Sequence, residues 1–290
     1  MLALATDLLA NPLQITAFDP IDNQKYNWSL PPEQWSQWLT ASPDSTSPMG
    51  LSLALEENAL RGYLTRQQSS LGGPQYLDVD AAVESIQTAL AQRSTQADAR
   101  LYHHDTQHTV QPGETITSIA WDYGVPYPWI QQANPGVGDA LSVGQQITIP
   151  SADNFFDYPV VPNKRIVVSM SEQRTRVYEN DQLKWDWVAS TGISSSPTWP
   201  GVYQIISHEP NAYAGNWNLY MPNFMGVYRP VPGTDFTNGF HGFPTRGGGQ
   251  LLWENNLGTR VTYGCILLSN VNIQQLYNWA EEGVVVQIRP

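Results

Sequence analysis

The sequence predicts a multidomain protein, with a small α/β domain at the N-terminus, a short β-α-α-β module in the middle and a mostly β domain at the C-terminus. A chain of 290 residues is long enough for two to three domains. Apolar residues recur at helical spacing within residues 1–100, whereas they alternate along residues 165–189. A long helical pattern returns only at residue 270, so we expect one late helix in the C-terminal domain.

The N-terminal stretch predicts helices and a strand. Trp28 to Leu39 contains a helix that begins at a proline pair, with Trp35, Trp38 and Leu39 at helical spacing. Met49 to Leu55 predicts a strand, and Glu56 to Gln67 predicts a helix.

A further helix and a polar segment complete this domain. Asp80 to Leu90 predicts an amphipathic helix with Asp80 as its N-cap. Ser94 to Gln107 predicts a linker. Its adjacent histidines, His103 and His104, with His108 beyond them, lack a carboxylate or cysteine framework, so we expect no metal site and no cofactor.

The middle module reads as strand, helix, helix, strand within about forty-five residues. His108 to Ile116 begins as an alternating strand and turns at Pro112-Gly113. Thr115 to Val125 predicts a short helix that ends at Gly124. The second helix and the closing strand are expected within Pro128 to Pro135 and Leu141 to Pro150.

This module, residues 106–152, resembles LysM domains along its whole length, including the Asn134-Pro135 pair and the ending Val143 to Pro150. The resemblance implies binding to glycan that contains N-acetylglucosamine, in grooves after the first strand and after the second helix. The residues it implies for glycan binding are Gly113, Glu114, Thr115, Ile116, Asn134, Pro135 and Gly136. The alternative is a LysM-like module that only spaces two domains, because a fold does not guarantee its site.

The C-terminal domain predicts a meander of strands before its late helix. The strands are expected at Arg165 to Met170, Thr175 to Glu179 and Leu183 to Ala189, with a turn at Glu179-Asn180-Asp181. Asn270 to Glu282 predicts one amphipathic helix that Gly283 ends, and Val284 to Ile288 predicts a closing strand.

Cys265 is the only cysteine of the chain, which leaves no intramolecular disulfide. It lies in the sequence Thr262-Tyr263-Gly264-Cys265, and His241 lies upstream in an equally glycine-rich context. A thiol in a turn becomes a candidate nucleophile when an imidazole can reach it. The alternative is a small buried apolar residue, which is the commoner state of a lone cysteine.

The sequence around Cys265 resembles the L,D-transpeptidase (YkuD-type) family over residues 163–290. Four blocks match in order: Thr191-Gly192 with Pro197 to Tyr203, then Met221 to Met225, then Phe240 to Pro244, and finally Thr262 to Leu268. The resemblance implies an all-β sandwich with one late helix. Pattern reading without it supports only a mostly β domain.

The resemblance also implies the site residues. Cys265 corresponds to the nucleophile, His241 to its base and Gly242 to the residue whose carbonyl orients the imidazole. We expect a thiolate–imidazolium pair between the first two. The expected oxyanion or substrate contacts are Gly264, Tyr263 and Met225.

Two positions depart from the family pattern. Tyr263 stands where the family usually has histidine, and Leu267 stands where a polar residue often follows the cysteine by two positions. Tyrosine still donates a hydrogen bond, so we interpret Tyr263 as a tolerated variant. Leu267 removes an expected contact to a substrate carboxylate or amide.

Residues 1–100 resemble, through a loose Trp-x-Leu…Trp-Leu…Leu-x-Leu…Asp-x-x-Ala pattern, the α/β peptidoglycan-binding domain that often precedes L,D-transpeptidase domains. The alternative is a spacer or a dimerisation module. Met1 to Ala10 is apolar but short, lacks a basic flank and contains Asp7, so it predicts no signal peptide. Because the resembled domains act outside the membrane, we expect an extracytoplasmic protein whose export segment is not visible in this chain.

Composition restricts the partners. A net charge of −12 argues against nucleic acid and against an anionic membrane surface. Eleven tryptophans and fourteen tyrosines suit surfaces that face carbohydrate. The sequence therefore predicts an envelope enzyme whose partners are glycan and peptidoglycan stem peptides.

The resemblance implies the reaction of this enzyme, a cysteine-based acyl transfer. In the family, the donor is a tetrapeptide stem that is cleaved before its terminal D-Ala, and the acceptor is a side-chain amine of another stem. The alternatives are an L,D-carboxypeptidase, which uses water as acceptor, and a catalytically decayed wall-binding protein.

Overall fold

The structure is a computed structural model, and it describes residues 8–43, 45 and 50–290. The predicted N-terminal apolar stretch before Leu8, and Met49 at the start of a predicted strand, lie outside the described residues. The chain divides into two compact units, residues 1–104 and residues 105–290. In the described part of the chain, no helix has both the length and the apolar character that crossing a bilayer requires.

The first unit combines strands and helices around its own core. Its sheet has the order β2-β1-β6-β5, and a separate hairpin pairs β3 with β4. Strand β1 runs antiparallel to β2 and parallel to β6. The strands are β1 (Leu13–Asp19), β2 (Gln24–Leu30), β3 (Leu39–Pro43), β4 (Leu51–Leu55), β5 (Gln75–Leu77) and β6 (Gln96–His103), and the helices are α1 (Pro32–Trp35), α2 (Glu57–Ser69) and α3 (Val79–Ala91).

Three sequence expectations for this unit are wrong. The expected linker is the internal strand β6, because Ala97, Ala99 and Leu101 alternate into the core. The helix expected within residues 28–39 is reduced to α1 and a short 3-10 turn, since the chain before it pairs as β2 and the chain after it as β3. The N-cap of α3 is Asp78, whose carboxylate accepts from the Ala81 N–H at 3.0 Å.

The second unit begins with the β-α-α-β module. Its elements are β7 (Thr106–Thr109), α4 (Ile116–Tyr123), α5 (Tyr127–Ala133) and β8 (Gln146–Ile149). Thr115 and Ser118 form a reciprocal capping box at the start of α4, and Gly124 ends that helix in the left-handed conformation, with a φ of 68°. The order of elements is the order that the sequence predicts.

The rest of the second unit is mostly β. One sheet has the order β11-β10-β9-β19-β12, and the other has the order β17-β16-β14-β15-β18 with β13 paired to β14. A helix, α6 (Asn270–Trp279), follows β18 and ends before the predicted Glu282. The strands are β9 (Lys164–Ser169), β10 (Arg174–Glu179), β11 (Gln182–Val188), β12 (Gly201–Gln204), β13 (Ser207–Ala214), β14 (Leu219–Tyr228), β15 (Asn238–His241), β16 (Thr245–Arg246), β17 (Gly249–Gln250), β18 (Ile266–Leu267) and β19 (Val285–Arg289).

The β-α-α-β module packs directly against the mostly β part of the unit, and the two share one hydrophobic core. The Trp129 indole N–H donates to the Arg229 carbonyl at 2.8 Å, and the Trp129 ring meets the Phe155 ring edge to face at 4.8 Å. Gly124 approaches Gly201 so closely that a Cβ on Gly124 would lie 2.9 Å from the Gly201 Cα. These two parts therefore form one packed body.

Candidate active site

Parallel pairing of β15 and β18 brings the two candidate catalytic residues together. Phe240 pairs with Ile266, and His241, the last residue of β15, pairs with Leu267. Cys265 directly precedes β18, so the same register places it beside Gly239 of β15. Side chains that are 24 residues apart in the sequence therefore reach one end of the same pair of strands.

The turn that carries Cys265 is held by buried hydroxyl groups. The Thr198 hydroxyl donates to the Gly264 carbonyl at 2.9 Å, and the Thr262 hydroxyl donates to the Cys265 carbonyl at 2.6 Å. Gly264 has a φ of +109°, and a Cβ at this position would lie 2.6 Å from Asn238 Nδ2. Both the backbone conformation and the space require glycine before the cysteine.

His241 is buried and held in one orientation. Its Nδ1 lies 2.7 Å from the Gly242 carbonyl oxygen. Because a carbonyl oxygen only accepts, Nδ1 carries the hydrogen, and Nε2 is the basic nitrogen. Burial lowers the pKa of His241 to about 4, against the opposing effect of the Gly242 hydrogen bond. The imidazole is therefore neutral at neutral pH.

The Cys265 thiol is also neutral in this site. Desolvation raises the pKa of Cys265 to about 11, and a hydrogen bond from the Gly239 N–H acts in the opposite direction. Its sulfur donates to Asn238 Oδ1 at 3.6 Å. Desolvation of both groups favours the neutral thiol and imidazole over the expected thiolate–imidazolium pair.

Cys265 and His241 line one cavity of about 250 Å³. Tyr263 lies at its rim, with about half of its surface exposed and its ring stacked on Trp217 at 6.0 Å. Arg246 brings a guanidinium to the wall and donates to the Trp217 carbonyl at 2.8 Å. The cavity thus combines a thiol, a neutral imidazole, an aromatic wall and one cationic side chain.

Family comparisons agree with this geometry. Residues 163–288 match the family model of the L,D-transpeptidase (YkuD) catalytic domain, and residues 108–150 match that of the LysM domain. The chain carries an L,D-transpeptidase domain and a LysM domain. These two resemblances seen in the sequence are confirmed, and the resemblance of residues 1–100 to a peptidoglycan-binding domain stays a prediction.

Three similar proteins illustrate the match. The candidate L,D-transpeptidase YkuD of Bacillus licheniformis is 29% identical over 184 residues, which cover 63% of this chain and 98% of that relative. The candidate L,D-transpeptidase YcfS of Escherichia coli is 27% identical over 219 residues, with 66% of this chain and 64% of that relative covered. The solved Ldtfm-avibactam carbamoyl enzyme aligns with 100% of this chain and 97% of its own, at 14% identity and a TM-score of 0.41.

Of the six residues predicted for the L,D-transpeptidase site, Cys265, His241 and Tyr263 line the cavity, and Gly242, Gly264 and Met225 do not. Met225 is fully buried in the core, where it pairs with Phe240 across β14 and β15. Met221, which precedes it on β14, lines the cavity instead. The role predicted for Met225 as a substrate contact is therefore wrong for this geometry.

Sequence reasoning missed two residues that complete the cavity. Asn238 is 4% exposed and its amide oxygen accepts from the Cys265 sulfur, and Trp217 supplies the aromatic wall beneath Tyr263. Asn238 lies in the turn-like sequence Thr237-Asn238-Gly239, where asparagine normally indicates only a turn. Its position three residues before His241 is the one sequence feature that could have predicted Asn238 at the cavity.

The polar side chains predicted for glycan binding by the LysM domain are engaged by their own domain. The Glu114 carboxylate accepts from the Gln111 N–H at 2.7 Å and lies 2.8 Å from His108 Nε2, and these contacts lower its pKa. The Thr115 hydroxyl caps α4. The Asn134 amide bonds to both backbone groups of Thr148 and to the Ile130 carbonyl, at 2.6–2.8 Å.

The other residues predicted at this LysM surface fall into two classes. Ile116 is only 3% exposed and belongs to the core, so its side chain is not available to a glycan. Gly113, Pro135 and Gly136 are exposed. Any glycan recognition here would therefore use backbone groups and small residues.

A group of ionisable side chains in the first unit involves one of the histidines considered from the sequence. The ligand atoms of Asp19, Asp22 and His103 lie within 4.8 Å of one another. The Gln75 amide donates to both carboxylates, and the His103 Nε2 lies 3.4 Å from Asp19. The Asp19 carboxylate also accepts two backbone N–H groups of its own turn, so these contacts account for the group as a structural network.

Proposed function

We propose that the protein transfers the acyl group of a peptidoglycan stem peptide to an amine acceptor through a thioester on Cys265. The observation that carries this proposal is the shared cavity of Cys265 and His241, in which Gly242 leaves the Nε2 of the imidazole as its basic nitrogen. A nucleophile, an oriented base and a cavity that admits substrate are the parts that acyl transfer requires.

The chemistry starts from two neutral groups. As Sγ attacks the scissile carbonyl, the thiol proton passes to Nε2 of His241 and an S–C bond forms. When the C–N bond breaks, His241 returns the proton to the leaving amine. The acceptor amine then attacks the thioester carbonyl and loses a proton to His241. The S–C bond breaks, and His241 returns that proton to the sulfur, which restores the thiol. The N–H groups of Gly264 and Cys265 are the proposed donors to the oxyanion, supported by the tight turn at Gly264.

The two departures from the family pattern have different consequences. Tyr263 is proposed as a substrate-facing rim residue, because it lines the cavity and about half of its surface is exposed. Leu267 is fully buried and lies opposite His241, so it packs the strand pair instead of contacting substrate. Arg246 supplies the cationic group that we propose for a substrate carboxylate.

The LysM domain is proposed to hold the enzyme on glycan that contains N-acetylglucosamine, in an extracytoplasmic location. The exposed Gly113, Pro135 and Gly136 support a shallow contact made largely by backbone. Glu114 is the one charged side chain among the residues predicted for glycan binding, and its carboxylate is already bonded to His108. Binding should therefore depend little on salt. A pull-down with insoluble peptidoglycan that is lost at modest salt would contradict this role.

The proposed reaction is tested by intact-mass measurement after incubation with a carbapenem, for the wild type and for Cys265→Ala. An adduct on the wild type alone supports the nucleophile, and no adduct on either protein supports the catalytically decayed alternative. A second incubation, with a tetrapeptide stem and an amine acceptor, distinguishes a transpeptidase from an L,D-carboxypeptidase. A crosslinked stem indicates transfer, whereas only the shortened free acid indicates an L,D-carboxypeptidase.

A further inference from the structure

Asn238 is the side chain that meets the catalytic sulfur from within the protein. Its Oδ1 lies 3.6 Å from Cys265 Sγ, within reach of a sulfur hydrogen bond. The side chain is 4% exposed, so bulk water does not compete for this contact. No part of the proposed acyl transfer described above uses Asn238.

A neighbouring tyrosine fixes which end of the Asn238 amide faces the sulfur. Burial raises the pKa of Tyr228, so its hydroxyl keeps its hydrogen, and it donates that hydrogen to the Gly264 carbonyl at 3.4 Å. The Tyr228 oxygen accepts from the Trp199 N–H at 2.9 Å and from Asn238 Nδ2 at 3.3 Å. Because the amide nitrogen is used by Tyr228, the amide oxygen is the atom that faces Cys265.

The same contacts tie Asn238 to the turn that carries the nucleophile. Tyr228 bridges Asn238 and the Gly264 carbonyl, and the absent side chain of Gly264 leaves the space that the Asn238 amide fills. An amide oxygen can accept a hydrogen from a thiol but offers nothing to a thiolate. The contact therefore favours the protonated sulfur.

We propose that Asn238 is a positioning residue that holds the Cys265 S–H group in the resting site and keeps the sulfur protonated until substrate enters. This inference rests on the proposed function for its purpose, because the held proton is the one that His241 must take during attack. When the scissile carbonyl reaches the sulfur, the S–H bond turns away from Asn238 and its proton passes to Nε2 of His241. The resting thiol is thereby protected from reaction with other electrophiles.

The test is the pH dependence of Cys265 alkylation by iodoacetamide, followed by intact mass between about pH 6 and pH 10. Alkylation needs no stem peptide, so it tests Asn238 even if the proposed transfer activity fails. Asn238→Ala should alkylate about three- to ten-fold faster than the wild type at pH 7, as expected for the loss of one neutral hydrogen bond, with the profile shifted to lower pH.

Two further variants make the result decisive. Asn238→Leu keeps most of the volume and excludes water, so acceleration in this variant as well assigns the effect to the lost acceptor. Asn278→Ala, on the exposed surface of α6, is the matched control and should alkylate as the wild type does. Profiles of the Asn238 variants that superimpose on the wild type would overturn the proposal. So would slower alkylation, which would mean that the amide N–H faces the sulfur and favours the thiolate.

Discussion

The two predicted binding regions of the second unit use polar side chains in opposite ways. Around the transpeptidase cavity, Cys265, His241 and Arg246 line a space that a substrate could enter, although His241 and Arg246 also bond to backbone carbonyls. On the LysM surface, Glu114 and Asn134 turn theirs inward and bond to their own domain. The first region depends on side-chain chemistry, whereas the second uses side chains to shape the backbone.

Because of this difference, substitutions at the cavity should affect mainly activity, and substitutions at the LysM surface should affect mainly stability. A change at the cavity should remove a reacting group while leaving most packing intact. A change at the LysM surface should weaken the domain itself, because a buried hydrogen-bonding group would lose its partners. Each of the following substitutions tests one side of this comparison.

The largest effect is expected for Cys265→Ala. Turnover of a tetrapeptide stem should fall by at least about 10³-fold, because no other group of the cavity can form the thioester. The free energy of unfolding should stay within about 1 kcal/mol of the wild type, since the substitution removes a single atom from a partly buried side chain. Mass spectrometry of the peptide products and urea unfolding measure the two quantities. Release of D-Ala at the wild-type rate would rule out Cys265 as the nucleophile.

His241→Gln should lower kcat/KM by about 10²- to 10⁴-fold, because the variant lacks the general base. His208→Gln is the matched control. His208 is bonded to the Ala280 carbonyl at 2.6 Å and is not among the residues that line the cavity in the described structure. Similar losses in the two variants would show that the effect is structural and not catalytic.

His241 should also make the folded protein sensitive to acid. Its pKa is about 4 in the folded state and 6.5 in its ordinary state, so between these values the unfolded chain binds a proton that the folded protein does not. Stability should therefore fall as the pH drops from about 6.5 to about 4, by up to about 3 kcal/mol. Urea unfolding across this range should show a shallower pH dependence for His241→Gln. Identical slopes would mean that His241 remains protonatable in the folded state.

Asn134→Ala should destabilise the LysM domain by about 1–3 kcal/mol, because it leaves the backbone groups of Thr148 and Ile130 without their side-chain partner. Gln132→Ala, at an exposed position of α5, the helix that ends just before Asn134, should stay close to the wild type. Thermal unfolding measures both variants. A stable Asn134→Ala protein that no longer binds peptidoglycan would place Asn134 in the glycan contact and contradict the comparison.

The smallest effect is expected for Tyr263→Phe. The ring and its stacking on Trp217 remain, so kcat/KM should change by no more than about three-fold. A phenol is poorly matched to proton transfer at neutral pH, and Tyr263→His should remain active. Loss as complete as that of Cys265→Ala would transfer the essential role from His241 to Tyr263.

Motif spacing predicted which residues meet at the cavity, but not how they are protonated. Cys265 and His241 were found because the family blocks fix their order along the chain. Their neutral state depends on burial, and sequence does not show how much water reaches a side chain. Asn238 was missed for the same reason, since its turn-like sequence gives no sign that the side chain faces inward.

The other wrong predictions concern residues whose burial depends on packing against parts of the chain that are distant in the sequence. The segment around Ala97 and Ala99 looked like a linker because its apolar residues are small, yet they fill the inward face of an internal strand. The LysM resemblance places Ile116 in the glycan groove, although it is an apolar first-turn residue of α4 and packs in the core. Met225 was assigned by its family block, which does not distinguish the cavity face of β14 from its core face.

If the LysM domain holds glycan as proposed, the packing of Trp129 against the Arg229 carbonyl and of Gly124 against Gly201 limits which stem peptides the cavity can reach. A catalytic domain on a flexible tether would search a sphere of stem peptides around its anchor. Here the LysM surface and the cavity belong to one compact unit with a shared core, so the fold sets the distance between them. A glycan strand bound at the LysM surface would present to Cys265 only those stems that project at that distance and in that direction. The spacing of stems along the strand would then determine which of them can react.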